Sequence, residues 1–217
     1  ESDPFVITGY SFDQVTQPLR IWNTDVHWIF TDNVVNGVGG VAECGTWIEN
    51  VCNGAIVGNE FLNRHSGIVV IGVENFSIIG NTIHDNFAYG LEVQGGMLNG
   101  NISDNIVSEC NAGGFRIIQG VTDSQINGNV IAHCNGNGIV VTGGIYNSKV
   151  MRNVIQDING IGILVSIACN VIMSLNEVHN SSQYGFLTQG LDHCTITHND
   201  IQDIIGWTAL MKAAHKG

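Results

Sequence analysis

Aliphatic and polar residues alternate in short runs along most of this chain. Stretches such as Gly90-Leu-Glu-Val and Gly138-Ile-Val-Val are rich in Ile and Val and are separated by Gly and Asn. A period of two in runs of this length predicts β-strands, and no 3.6-residue period holds over a helical length before Trp207. The runs also repeat as a set: Asn81–Gly96 reads NTIHDNFAYGLEVQGG and Asn129–Gly144 reads NVIAHCNGNGIVVTGG. Aligned on the leading Asn, the repeat starts at Asn33, Asn59, Asn81, Asn105, Asn129, Asn153, Asn176 and Asn199, at intervals of 26, 22, 24, 24, 24, 23 and 23 residues. Two positions after each Asn stands an apolar residue, from Val35 and Phe61 through to Val178 and Ile201, and another stands three before most of them. Glycine recurs at Gly67, Gly90, Gly114, Gly138, Gly162 and Gly185.

Short strands returning every 22 to 26 residues with no helix between them predict a solenoid with about three strands per turn, each turn burying its apolar face against the next. Within such a coil the repeated Asn has a physical role. Its amide donates to one neighbour and accepts from another, so stacked Asn side chains form an internal ladder that satisfies turn carbonyls. Glycine at the next corner supplies either a positive φ or a close approach of chains.

The stretches GNTIHDNFAYGLEV and GNVIAHCNGNGIVV resemble the repeats of the pectate-lyase-like superfamily, in particular the NosD-like and archaeal surface β-helix proteins, and DPFVITGY is similar to their first strand. The resemblance covers about residues 4 to 205. It implies an all-β fold, a single-stranded right-handed parallel β-helix of about eight rungs, over residues 1–205. Activity does not follow, because the superfamily includes lyases, hydrolases, epimerases and proteins without catalysis. The paired-Asp signature of its polygalacturonases, the Asp-Pro-His-Asp string of its alginate epimerases and the basic cluster of its pectate lyases are not found here.

Residues 206–217, GWTALMKAAHKG, leave the register. Leu210, Ala213 and Ala214 share one face of a helix, which predicts a short C-terminal helix capping the coil. The string also resembles the start of an ankyrin repeat, which implies a rod-like interaction module in a longer, cytoplasmic protein.

Charge narrows the partners. Only 12% of residues are charged, against about 25% in an ordinary domain. The net charge is −12, with seven Lys and Arg that do not cluster. Nucleic acid and anionic membrane surfaces are poor partners for such a chain. No run approaches a membrane span, so no membrane insertion is expected. A glycan or protein partner outside the cell or at its surface fits better. The six cysteines lack zinc spacing. Cys110 and Cys134 share a column with Ile158 and Ile204 and read as reduced core thiols, whereas Cys44 and Cys52 are the pair to be bridged in an exported protein. His193 and His198 flank Cys194, a soft-ligand set without a third ligand, so no metal site is assigned there.

Two columns carry candidate chemistry. The fourth position after the ladder Asn reads Asn63, Asp85, Glu109, His133, Asp157, Asn180 and Asp203. Stacked Asp85 and Glu109, with His133 beyond, offer acid–base groups for a polysaccharide lyase or hydrolase, or oxygen ligands for Ca²⁺, the one cofactor entertained. An acidic residue after a strand is also ordinary turn chemistry. The second column is the outward strand position after the recurring Gly: Val69, Glu92, Arg116, Val140, Leu164 and Leu187. Glu92 over Arg116 predicts a cross-strand ion pair. Val140, Leu164 and Leu187 predict an exposed apolar stripe for a ligand, a partner or self-association. The preferred expectation is a non-catalytic scaffold that presents a flat face to a glycan or protein, with enzyme and ankyrin-linked rod as alternatives.

Overall fold

The computed structural model describes residues 3–38 and 44–212, the last six by their backbone alone. Three parallel sheets wind around one core. Sheet A runs from Phe5–Thr8 to Thr195–Thr197, and sheet B from Ser11–Asp13 to Asp200–Gln202, each with nine strands. Sheet C runs from Leu19–Thr24 to Trp207–Lys212. The chain passes A, B, C and returns to A, so nine strand triplets stack over eight turns. Every strand pairs in parallel with its counterpart one turn away.

The columns read from the sequence are the core. Ile78, Ile102, Ile126, Val150 and Met173 line sheet A, Ile83, Val107, Ile131, Ile155 and Val178 line sheet B, and all lie at or within 1% of full burial. Leu91, Phe115, Ile139 and Ile163 do the same for sheet C. At the A–B corner the Asn ladder is continuous. Asn81 N and Nδ2 donate to Asn105 Oδ1 at 3.0 and 2.9 Å, and Asn105 repeats this to Asn129 at 3.1 and 2.9 Å. Asn105 Nδ2 also donates to Ile78 O at 2.9 Å and Ser103 O at 3.0 Å. The ladder runs from Asn33 to Asn199.

The recurring glycines serve close approach. A Cβ at Gly114 would stand 2.5 Å from Ile131 Cγ2 and 2.7 Å from Gly138 O. The positive φ angles fall instead on the corners themselves, among them Asp104 and Arg152 just before the ladder Asn. The C-terminal expectation needs correction. Trp207–Lys212 is not helical but the last strand of sheet C, with Tyr184 opposite Trp207 and Leu187 opposite Leu210. An unpaired strand edge outweighs the local helix preference of Ala, Leu and Lys. The remaining residues of the expected cap or ankyrin-like fragment, 213–217, lie outside the described residues.

Candidate functional site

Glu92 and Arg116 sit on the outer face of sheet C, because their neighbours Leu91, Val93, Phe115 and Ile117 point into the core. The register places Arg20, Trp47, Val69, Glu92, Arg116, Val140, Leu164 and Leu187 in one column, a rung apart. The predicted ion pair is formed, with Arg116 Nη1 donating to Glu92 Oε2 at 3.2 Å. Its environment is less solvated than a surface pair, since the Glu92 side chain is only 7% exposed. Ser66 Oγ donates to Glu92 Oε1 at 2.5 Å, and Gln94 Nε2 to Oε2 at 3.4 Å. The carboxylate is thus held by three donors, while Arg116, 40% exposed, spreads over the Tyr89 ring at 5.3 Å. Stacked guanidinium and ring gain from the cation–π term and present a flat edge outward.

The apolar end of the column is less open than expected. Val140, Leu164 and Leu187 face outward but are half-buried, and Val69 is fully buried. At the spacing of about 4.8 Å between parallel strands, stacked side chains cover one another's flanks. Two aromatic residues escaped the sequence reading. Trp47 stands in the same column two positions after Gly45, between Arg20 and Val69, and Trp22, 57% exposed, lies under Arg20 at 5.4 Å. The column Gly45, Gly67, Gly90 was the signal that could have found Trp47; the longer interval after Asn33 hid it.

Asp85, Glu109 and His133 stack at the B–C corner, all left-handed with φ of 56, 53 and 53°. The same holds along the whole column, including Asn63, Asp157, Asn180 and Asp203. Short polar residues tolerate this conformation best, so the corner geometry alone selects for Asn and Asp. Asn180 Nδ2 donates to Asp157 Oδ1 at 2.9 Å, and His133 Nδ1 lies 3.4 Å from Asp157 Oδ2. On sheet B, His84 bridges two carboxylates, with Nδ1 2.7 Å from Asp85 Oδ2 and Nε2 3.2 Å from Glu60 Oε1. Burial works to lower the His84 pKa, but these two hydrogen bonds and charges outweigh it and raise it. Among the described residues no group of three or more His, Cys, Asp or Glu is placed to hold a metal ion.

Cys110 and Cys134 are buried thiols stacked below Asn86, whose Nδ2 lies 3.9 Å from Cys110 Sγ. The hydrogen bond with Cys134 and burial both raise the Cys110 pKa. Cys44 and Cys52 carry thiols and are not bridged to each other. Among the described residues no helix is long and apolar enough to cross a membrane.

With this geometry in place, comparison with known proteins decides the family. The model of the right-handed β-helix region matches residues 19–150, more than half of the chain. The chain belongs to the right-handed β-helix family. No curated protein matches it as a sequence relative. Among solved structures it is similar to PfbA, a surface adhesin of Streptococcus pneumoniae, with 13% identity and a TM-score of 0.74 over 93% of this chain and 60% of that one. It is similar to the periplasmic alginate epimerase AlgG, with 17% identity and a TM-score of 0.65 over 88% and 50% of the two chains. The pectate lyase Pel9A follows with 13% identity and a TM-score of 0.54 over 93% and 69%. The chain therefore spans between 50% and 69% of the length of these neighbours, and at these identities the likeness is one of fold.

Proposed function

We propose that this β-helix is a non-catalytic scaffold that binds a glycan on the outer face of sheet C, outside the cytoplasm. The observation that carries the reading is the state of Glu92. A carboxylate already engaged by Ser66, Gln94 and Arg116 is a fixed structural anchor, poorly placed to shuttle protons. What it leaves facing outward are the remaining donors of Arg116, stacked on the Tyr89 ring, and the half-buried Trp47 further along the same column. Hydroxyl-rich, ring-shaped ligands are recognised by that combination of flat apolar surface and directional donors. A surface adhesin and a periplasmic alginate epimerase with the same fold are in keeping with a location and a partner of this kind.

The test is a panel of acidic and neutral polysaccharides, with and without calcium, followed for binding and for new unsaturated or reducing ends. Binding without product, weakened about tenfold by Arg116→Ala or Trp47→Ala, is expected. Product that disappears in Asp85→Asn or Glu109→Gln would overturn the reading and make the chain a lyase or hydrolase.

A further inference from the structure

Next to that face, sheet C changes its geometry in three consecutive rungs. Between Gln94 and Met97 the pairing register shifts, so Gly95 and Gly96 together oppose the single Gly72. Gln119–Gly120 and Gly143–Gly144 continue this two-residue bulge, after which Ile167 and Gly190 stand alone again at the kink, Ser166 pairing with Gln189 and Ala168 with Leu191. The Asn intervals carry the same insertion: the bulged rungs start at Asn81, Asn105 and Asn129 and are each 24 residues long, against 23 after, while the 22-residue rung before is shorter by one further residue, between Asn63 and Ile68. A bulge repeated in register bends the strands, increases their local twist and re-aims the side chains beyond it. The result is an open groove of about 530 Å³ along the helix axis.

The glycines do not make this a site, since packing explains several of them: a Cβ at Gly120 would meet Gly144 O at 2.6 Å. The walls are what point to a ligand. Leu98, Thr122 and Tyr146 are stacked in register along one side, with Glu74 one rung before Leu98. The Tyr146 ring lies over Gly144, where a Cβ would come within 2.6 Å of it, and Tyr146 remains 40% exposed. Gln119, left-handed at φ 68°, accepts the Gly95 N–H at 2.8 Å through Oε1. Its Nε2 has no protein partner among the described residues. The lining contains one carboxylate, Glu74, and no Lys, Arg or His. An anionic ligand is disfavoured there, all the more in a chain of net charge −12.

We infer that the groove is a binding track for an uncharged oligosaccharide, with Tyr146 stacking on a sugar ring, Gln119 Nε2 donating to a hydroxyl and Glu74 accepting from one. This rests on the reading of sheet C as a glycan-binding surface and extends it to a second strip on the same rungs, past Gln94.

The experiment titrates the full chain with neutral hexasaccharides (cello-, manno- and xylo-series) and with hexagalacturonate, in parallel with Tyr146→Ala, Gln119→Gly and Trp47→Ala. Gly suits the left-handed backbone at 119, so that variant keeps the fold while removing the amide, and thermal melts check all three. Expected is binding of at least one neutral hexasaccharide, weakened about tenfold by Tyr146→Ala and several-fold by Gln119→Gly. If Trp47→Ala binds as the parent does while Tyr146→Ala does not, the groove stands and the outer-face reading fails. If Trp47→Ala loses binding and Tyr146→Ala keeps it, the groove proposal is overturned and the outer face stands. Binding of hexagalacturonate alone, or of none of these probes, also overturns the groove proposal.

Discussion

Asn129 donates from Nδ2 to Ile102 O and Asn153 Oδ1 and accepts from Asn105 N and Nδ2, all in a site with no exposure. Truncation to Ala strands several buried polar groups at once, each costing about 1–3 kcal/mol. Asn129→Ala is therefore expected to lose about 3 kcal/mol or more in urea unfolding, and a loss below about 1 kcal/mol would contradict the ladder's role. This residue was legible in the sequence because an Asn recurs at one fixed turn in every repeat, and its short amide can donate and accept there at once. The His84 bridge was only half legible: Asp85 adjoins it in the sequence, whereas Glu60 reaches it from the preceding rung. The raised His84 pKa means that the contribution of this bridge to stability is complete below the ordinary histidine value of about 6.5 and is lost as pH rises through the folded value. Asp85→Asn, at an exposed left-handed corner, should change stability at pH 8 by less than about 0.5 kcal/mol. The same substitution should lower the His84 midpoint in an NMR titration. An unchanged midpoint would show that Asp85 does not support the histidine.

At the scale of the strand, two kinds of constraint that look alike in sequence separate in the structure. Gly114 has an ordinary backbone but no room for a methyl group, so Gly114→Ala should cost about 1–3 kcal/mol by forcing Ile131 and the next rung apart. Ile167 is the converse: 52% exposed, a β-branched residue at φ 62° at a kink where its neighbours carry glycine. Ile167→Gly should stabilise by about 1 kcal/mol, because the left-handed conformation penalises a β-branched side chain by that order. Denaturant midpoints of the two variants must move in opposite directions. Alternation gave away which strand positions face outward, so the Glu92–Arg116 pair could be foreseen. It could not show that the carboxylate would be buried, which depends on Ser66 reaching in from another turn. Nor does alternation distinguish a bulge from a longer corner, although the intervals of 24 residues held that information. The last strand was missed because Ala, Leu and Lys prefer helix locally, whereas pairing to Tyr184–Gln189 is a tertiary effect.

Stability in a stacked coil is close to a sum over rungs and their interfaces, so the weakest rungs open first. The middle of the core is apolar and sealed, with Ile102, Val107, Phe115, Ile131, Ile139 and Ile155 at zero exposure. Towards the C-terminal end the columns change character. Leu191, Cys194, Ile196, Ile201 and Ile204 are only partly buried. The hydroxyls of Ser181 and Thr188 are buried without a hydrogen-bond partner. Thr188 stands in the column of Val93, Ile117, Val141 and Val165, so its hydroxyl replaces a methyl group where only apolar contacts exist. Amide hydrogen exchange should accordingly be slowest in peptides from residues 101–155 and markedly faster in 184–204. Thr188→Val removes the unpaired hydroxyl at nearly constant volume and should stabilise the fold by about 1 kcal/mol. Because each rung contacts chiefly its neighbours, the gain should appear as slower exchange in 163–204 and leave peptides from 19–36 unchanged. Equal slowing at both ends would show that the coil opens as one cooperative unit, and the rung-by-rung account of its stability would then be wrong.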